Sequence, residues 1–170
     1  MQTPLTQTPE IAKIAKVCLP QELVASTVFL LGRVGIAMKM ETIEAFEQAG
    51  FSPYHFSVLA LLDEGARETQ ATIADVLRVD RSQLVGLLDS LEERGLVERR
   101  RDPNDRRRHL VSLTAAGKHE LATLRKLVKR IEAEFLAPLQ PEERATLHRL
   151  LLRLAMSRDD RFVAEAATGA

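Results

Sequence analysis

The chain has 170 residues, 45% of them hydrophobic, and its 24 basic and 24 acidic side chains leave a formal net charge of zero. That length and apolar content suit one ordinary domain, or two small intertwined ones, with a real core, and they exclude disorder of the whole chain. The single cysteine, Cys18, excludes an intrachain disulfide and any multi-cysteine metal site, and an aromatic content of 4% with no Trp argues against the stacking platforms of single-strand binders.

Residues 1–9 are polar with two prolines and are expected to be loose, and Ile11, Ile14, Ala15 and Cys18 predict a short amphipathic turn before Pro20. No apolar run reaches the roughly 20 residues that span a bilayer, and MQTPLTQTPE lacks the basic and apolar regions of a secretory leader, so a cytoplasmic protein with no membrane partner is expected. Leu23, Thr27, Leu30, Leu31, Val34 and Met38 fall at helical spacing and predict one long helix over 21–48, closed by Gly50. Ser52 before Pro53 pairs an N-cap with proline at the first helical position, predicting a helix over 53–64 that stops at Gly65, with Phe56, Leu59, Ala60 and Asp63 on its face.

Thr69 caps a third, short helix through Ile73, Ala74 and Leu77. Asp80 caps a fourth that carries Leu84, Leu87, Leu88 and Leu91 inward and ends at Gly95, where glycine adopts the left-handed conformation cheaply. Two such helices around the turn 78–80 are a helix-turn-helix pattern. After Gly95 the period changes from helical to two: Val97, Arg99 and Arg101 alternate against Leu96, Glu98 and Arg100, and a second alternating run, 109–113, follows the turn residues Asp102, Pro103, Asn104 and Asp105. Thr114 caps a fifth helix whose Leu121, Leu124, Val128, Ile131 and Phe135 form a heptad-like seam, suited to the subunit's own core, to a partner helix, or to both. Pro138 and Pro141 interrupt the chain before a sixth helix with Leu147, Leu150, Leu151 and Leu154, and the chain is expected to fray from Asp159.

The charge is local rather than global. Residues 94–108 hold seven arginines (Arg94, Arg99, Arg100, Arg101, Arg106, Arg107, Arg108) against Glu98, Asp102 and Asp105, a local excess of four positive charges. Counterion release depends on cations near the phosphates, so a basic hairpin after a helix-turn-helix is how a winged helix presents itself to DNA in a protein of neutral overall charge. The fold class expected is mostly α with a small β-hairpin wing. Catalytic patterns are missing: there is no phosphate-cradling glycine loop, no Gly-x-Ser-x-Gly elbow and no carboxylate pair in an apolar setting, so no enzyme and no cofactor are expected. His119-Glu120 is followed by Thr123 where the zinc-protease motif needs a second histidine, so no metal is expected either.

Three segments in contiguous order, DRSQLVGLLDSLEERGLVERR, DPNDRR and LVSLTAAG, resemble the MarR family of winged-helix transcriptional regulators, most closely over residues 50–117. The resemblance implies a winged helix-turn-helix domain at 51–114, a helical dimerisation region from 1–50 and 115–170, and a ligand-responsive repressor that binds a pseudo-palindromic duplex as a homodimer. It places Arg81, Ser82, Gln83, Val85 and Gly86 on a recognition helix in the major groove, departing from the family pattern at Val85 and Gly86. Arginine reads guanine and glutamine reads adenine by paired hydrogen bonds. It also places Arg107 in the minor groove braced by Asp105, with Arg106 and Arg108 toward phosphate or solvent, and it puts Tyr54 and His55 beside a pocket for a small aromatic or lipophilic effector. Two alternatives stand beside this reading: a redox-responsive regulator using Cys18, and a winged-helix protein-interaction module without DNA binding.

Overall fold

The computed structural model describes residues 18–65, 68–103, 105 and 109–162. The short turn expected over 11–18 lies almost wholly outside them. Contacts divide the chain into residues 1–37 and 38–170, and each unit is taken by itself.

In the first unit the expected single helix is two: α1 (Gln21–Val24) and the start of α2 (Thr27–Gln48). The break comes from Ser26, whose hydroxyl accepts the Phe29 N–H at 3.3 Å while its carbonyl accepts the Leu30 N–H. A serine that offers its oxygen to the backbone begins a helix more readily than it continues one. Leu23, Val24, Val28, Leu30, Leu31, Val34 and Ile36 are all exposed along this stretch.

The second unit holds the rest of α2, then α3 (Pro53–Gly65), β1 (Glu68–Thr69), α4 (Gln70–Leu77), α5 (Arg81–Glu93), β2 (Val97–Arg101), β3 (His109–Leu113), α6 (Ala115–Phe135) and α7 (Pro141–Met156). Two of its helices end as glycine directs. At Gly50 (φ +77°) the Phe51 N–H reaches the Phe46 carbonyl, and at Gly95 (φ +68°) the Leu96 N–H reaches the Leu91 carbonyl, both at 2.9 Å, so the last carbonyls of α2 and α5 are satisfied by a left-handed cap.

The core is built from Phe46 of α2, Val58, Leu59 and Leu62 of α3, Ile73 of α4, Leu84, Leu88 and Leu91 of α5, Val97, Val111, and Leu121, Leu124 and Ile131 of α6. The seam of α6 therefore packs largely inside its own subunit. The apolar face of α3 is wider than its spacing predicted: Val58 and Leu62 are buried and Phe56 and Ala60 lie against the core. Asp63 turns outward and pairs with Arg125 of α6 at 2.9 Å.

The hairpin gains a third strand. The sheet order is β1–β3–β2, antiparallel throughout, with Glu68 opposite Val111 and Arg99 opposite Val111 on its other side. A two-residue strand carries no readable alternation, which is why β1 was not expected. Thr114 caps α6 by accepting the Gly117 N–H at 3.0 Å, and its own hydroxyl donates to the Gly95 carbonyl at 2.7 Å. Gly117 is required here, because a Cβ on it would lie 2.0 Å from the Leu96 carbonyl oxygen.

Of the segment expected to fray from Asp159, residues 163–170 lie outside those described, whereas 159–162 make defined contacts. After α7 a single 3-10 turn reaches Phe162, where Arg161 donates to the Val76 carbonyl and Asp159 pairs with both Arg161 and Arg78. The Arg161 guanidinium, with Arg78 as a lesser contributor, holds the Asp159 carboxyl well below the usual carboxylate range.

Candidate nucleic-acid interface

The helix-turn-helix is α4, the turn 78–80, and α5. Arg78 closes α4 in the left-handed conformation (φ +49°), unusual for a residue with a side chain, and the Val79 N–H returns to the Ala74 carbonyl at 3.2 Å. This tight return drives Val79 into the core and leaves Asp80 extended at the mouth of α5. The Asp80 carboxylate accepts the Gln83 N–H at 2.8 Å and the Ser82 hydroxyl, and these two hydrogen bonds, Ser82 first, hold its pKa below the ordinary value. Asp80 is thus the N-cap that the sequence predicts.

Leu84, Leu88 and Leu91 anchor α5, and Arg81, Ser82, Gln83, Val85 and Gly86 all stand on its exposed side. The five residues expected on a recognition helix therefore share one solvent-facing surface. Ser82 is the exception in availability, since its hydroxyl proton is given to Asp80 and only its oxygen is left to accept. A groove of about 580 Å³ runs beside this surface, lined by Thr69, Gln70, Thr72, Arg81, Val85 and His109 among others. Thr69 caps α4, a role its local spacing predicts, and tertiary packing also places it on this groove.

The arginine cluster is divided in the structure. Arg94 donates to the Gly50 carbonyl at 2.7 Å and lies 4.5 Å over the Phe51 ring, a cation–π contact. Arg99 on β2 clamps α5, donating to Asp89 at 2.6 Å and through Nε to Glu92 at 2.8 Å. That guanidinium holds the Glu92 carboxyl below its usual range, and the two acids push Arg99 upward. Arg100 pairs with Glu98 at 2.9 Å, and Arg101 is exposed. Of the four arginines among the described residues, Arg94 and Arg99 are therefore engaged in the fold, and Arg100 is paired locally on the surface. Charge counting could not see this, although Asp89 and Glu92, three apart on one face of α5, are the signal that a cation would meet them. Arg106, Arg107 and Arg108 lie outside the described residues, and so does the expected brace of Arg107 by Asp105; Asp105 itself is described and half-buried.

Tyr54 is exposed, and His55 is half-buried with a structural task. Its Nδ1 accepts the Ser52 N–H at 3.0 Å while the Ser52 hydroxyl accepts the His55 N–H at 3.3 Å, a reciprocal capping box with histidine where Glu or Gln is usual. Burial, and then the nearby Arg94 charge, push the imidazole pKa below its ordinary 6.5. Neither residue lines the groove beside α5. Cys18 is exposed. Among the described residues no cluster of three or more His, Cys, Asp or Glu side chains could hold a metal ion, and no helix is long and apolar enough to cross a membrane.

A capped helix-turn-helix whose second helix bares a polar face, followed at once by a basic antiparallel hairpin, is the reading head of a winged-helix DNA-binding transcriptional regulator. The MarR family model matches residues 49–108. A Thauera aromatica protein named as a transcriptional regulator for the hcr operon is 33% identical over 133 residues, covering 74% of this chain and 80% of its own. E. coli MarR in its apo form superposes with a TM-score of 0.68 at 30% identity, over 76% of this chain and 96% of that one. CouR, a transcriptional repressor bound to a 23-mer DNA duplex, gives a TM-score of 0.70 at 34% identity, over 79% of this chain and 96% of its own. The chain belongs to the MarR family, whose members act in general by binding DNA and not by catalysis.

Proposed function

We propose that this regulator is a cytoplasmic homodimeric repressor of a pseudo-palindromic duplex, released by a small aromatic or lipophilic effector. The observation that carries the dimer is α7: it has no buried residue, and Leu150, Leu151 and Leu154 are exposed along it. An amphipathic helix with an uncovered leucine face is covered in solution by something of matching chemistry, and a second copy of the same chain supplies it. Two reading heads joined rigidly bind two half-sites about one DNA turn apart, and the second contact becomes effectively intramolecular. Repression is supported by the likeness to CouR, and operator binding by the likeness to a MarR variant from E. coli in complex with operator DNA.

In this reading Arg81 and Gln83 meet base edges, Arg107 braced by Asp105 enters the minor groove, and Arg106 and Arg108 meet phosphates. Tyr54 and His55 border the effector pocket, a placement that rests on the family resemblance alone. The test uses a duplex selected by the wild-type protein from a random pool. Wild type is expected to scatter light as a dimer at micromolar concentration and to bind the duplex. Charges placed at both Leu151 and Leu154 should give a folded monomer with sharply weaker binding. Arg106→Gln should flatten the slope of log K against log salt by about 0.9, the worth of one phosphate contact. A well-folded wild-type monomer would defeat the dimer, and an unchanged salt slope would remove Arg106 from the interface.

A further inference from the structure

We propose that Val85, with Gly86 bare beside it, reads the 5-methyl group of thymine in the major groove. This rests on the placement of α5 in that groove. The exposed side of α5 is otherwise polar, carrying Arg81, Ser82 and Gln83. Among them stands Val85, an apolar side chain left 42% exposed. The next position, Gly86, has nothing within 4 Å of where its Cβ would be.

Both choices work against the helix. Valine loses side-chain freedom in a helix, and glycine is the poorest helix former after proline. Neither is chosen for the core, since the space at Gly86 is open and Val85 is left partly exposed on the groove beside α5. A glycine on an exposed helix interior without a protein neighbour fits a close approach by something outside the protein. Val85 sits one turn beyond Arg81, on the same row of the helix, and both line the groove beside α5. A base-reading Arg81 therefore carries Val85 to a neighbouring base pair.

Valine has neither donor nor acceptor. Among the groups that base pairs present in the major groove, the thymine 5-methyl is the apolar one, so it is the partner this side chain can distinguish. The missing side chain at 86 lets the short valine come close enough to touch it.

The test is a thymine-to-uracil scan of the duplex selected by wild type, which deletes one methyl at a time and leaves every hydrogen-bonding edge unchanged. In wild type, one thymine per half-site should lose about fourfold in affinity, the transfer worth of one buried methyl group. In Val85→Ala the same deletion should cost less than twofold. Val85→Ala is safe for folding because alanine at an exposed helix position favours the helix. Gly86→Ala should raise thermal stability and yet lower affinity for the selected duplex. Arg81→Ala separates the inference from the reading beneath it. If Arg81→Ala weakens binding but no thymine shows a Val85-dependent methyl, the inference is overturned and the helix placement stands. If Arg81→Ala and Val85→Ala both bind like wild type, or no duplex is selected, the placement and the inference fall together.

Discussion

Helices α5 and α7 carry leucines at the same spacing, Leu84, Leu87, Leu88 and Leu91 in one and Leu147, Leu150, Leu151 and Leu154 in the other, yet their fates differ. In α5, Leu84, Leu88 and Leu91 are at most 2% exposed. In α7 nothing is buried. Periodicity establishes that a helix has an apolar face, and it is silent about which chain covers that face. The reading head closes its own core, whereas the last helix keeps its leucines uncovered within one chain.

The contrast has a direct test by truncation. Leu88→Ala should cost about 2–5 kcal/mol in urea unfolding at any protein concentration, because the cavity it leaves lies inside one subunit. Leu151→Ala, measured where the protein is dilute enough to be monomeric, should change stability by less than about 0.5 kcal/mol. Its effect should appear only as protein concentration rises; equal losses in the two variants at high dilution would mean that α7 belongs to the intrachain core.

A smaller effect, still in the reading head, is expected at Gly117. A Cβ there meets the Leu96 carbonyl oxygen at 2.0 Å, so the start of α6 must shift away from the bend that precedes β2. Gly117→Ala should destabilise by about 1–3 kcal/mol, the range for overpacked sites, visible as a lower melting temperature. A neutral result would place the contact with the features that relax freely.

The smallest effect concerns pH. The folded-state pKa of His55 lies below 6.5, so between the two values the unfolded chain holds the proton more readily than the folded one. The stability contributed by neutral His55 is therefore complete above about pH 6.5 and is lost as pH falls from there to the folded value. His55→Gln keeps an acceptor for the Ser52 N–H, as glutamine does in the usual capping box, and cannot titrate. It should match wild type at pH 7.5 and lose less stability on acidification to pH 5. The difference is modest, since the ring is half-exposed and screened. Parallel stability curves for the two proteins would dismiss the histidine as a source of pH dependence.

What the sequence made legible was local. The caps at Thr69, Asp80 and Thr114 and the glycine ends at 50 and 95 each depend on a few neighbouring residues, and all lie where they were expected. The break at Ser26 was also local, but the apolar spacing ran straight through it and concealed it. Features that depend on distant partners were not legible. Strand β1 exists because Glu68 finds Val111, and the chain near Asp159 stays ordered because it finds Arg78 and Val76. Of the arginines counted as one basic stripe, Arg94 and Arg99 are held by distant partners, while Arg100 and Arg101 lie on the surface. At the interface, the exposed face of α5 was readable from its leucines, but the loss of the Ser82 hydroxyl to Asp80 was not.

Arg94 occupies an unusual position in this fold. It is the C-cap of α5, and its guanidinium satisfies the Gly50 carbonyl at the end of α2 while covering Phe51. Fraying normally begins independently at each helix end, at little cost in free energy. Here the last turn of α5 cannot unwind without withdrawing the donor from Gly50, nor can the chain after α2 peel away without uncovering the arginine. Opening either of these two termini, far apart in the chain, therefore carries the added cost of breaking a contact that the other shares.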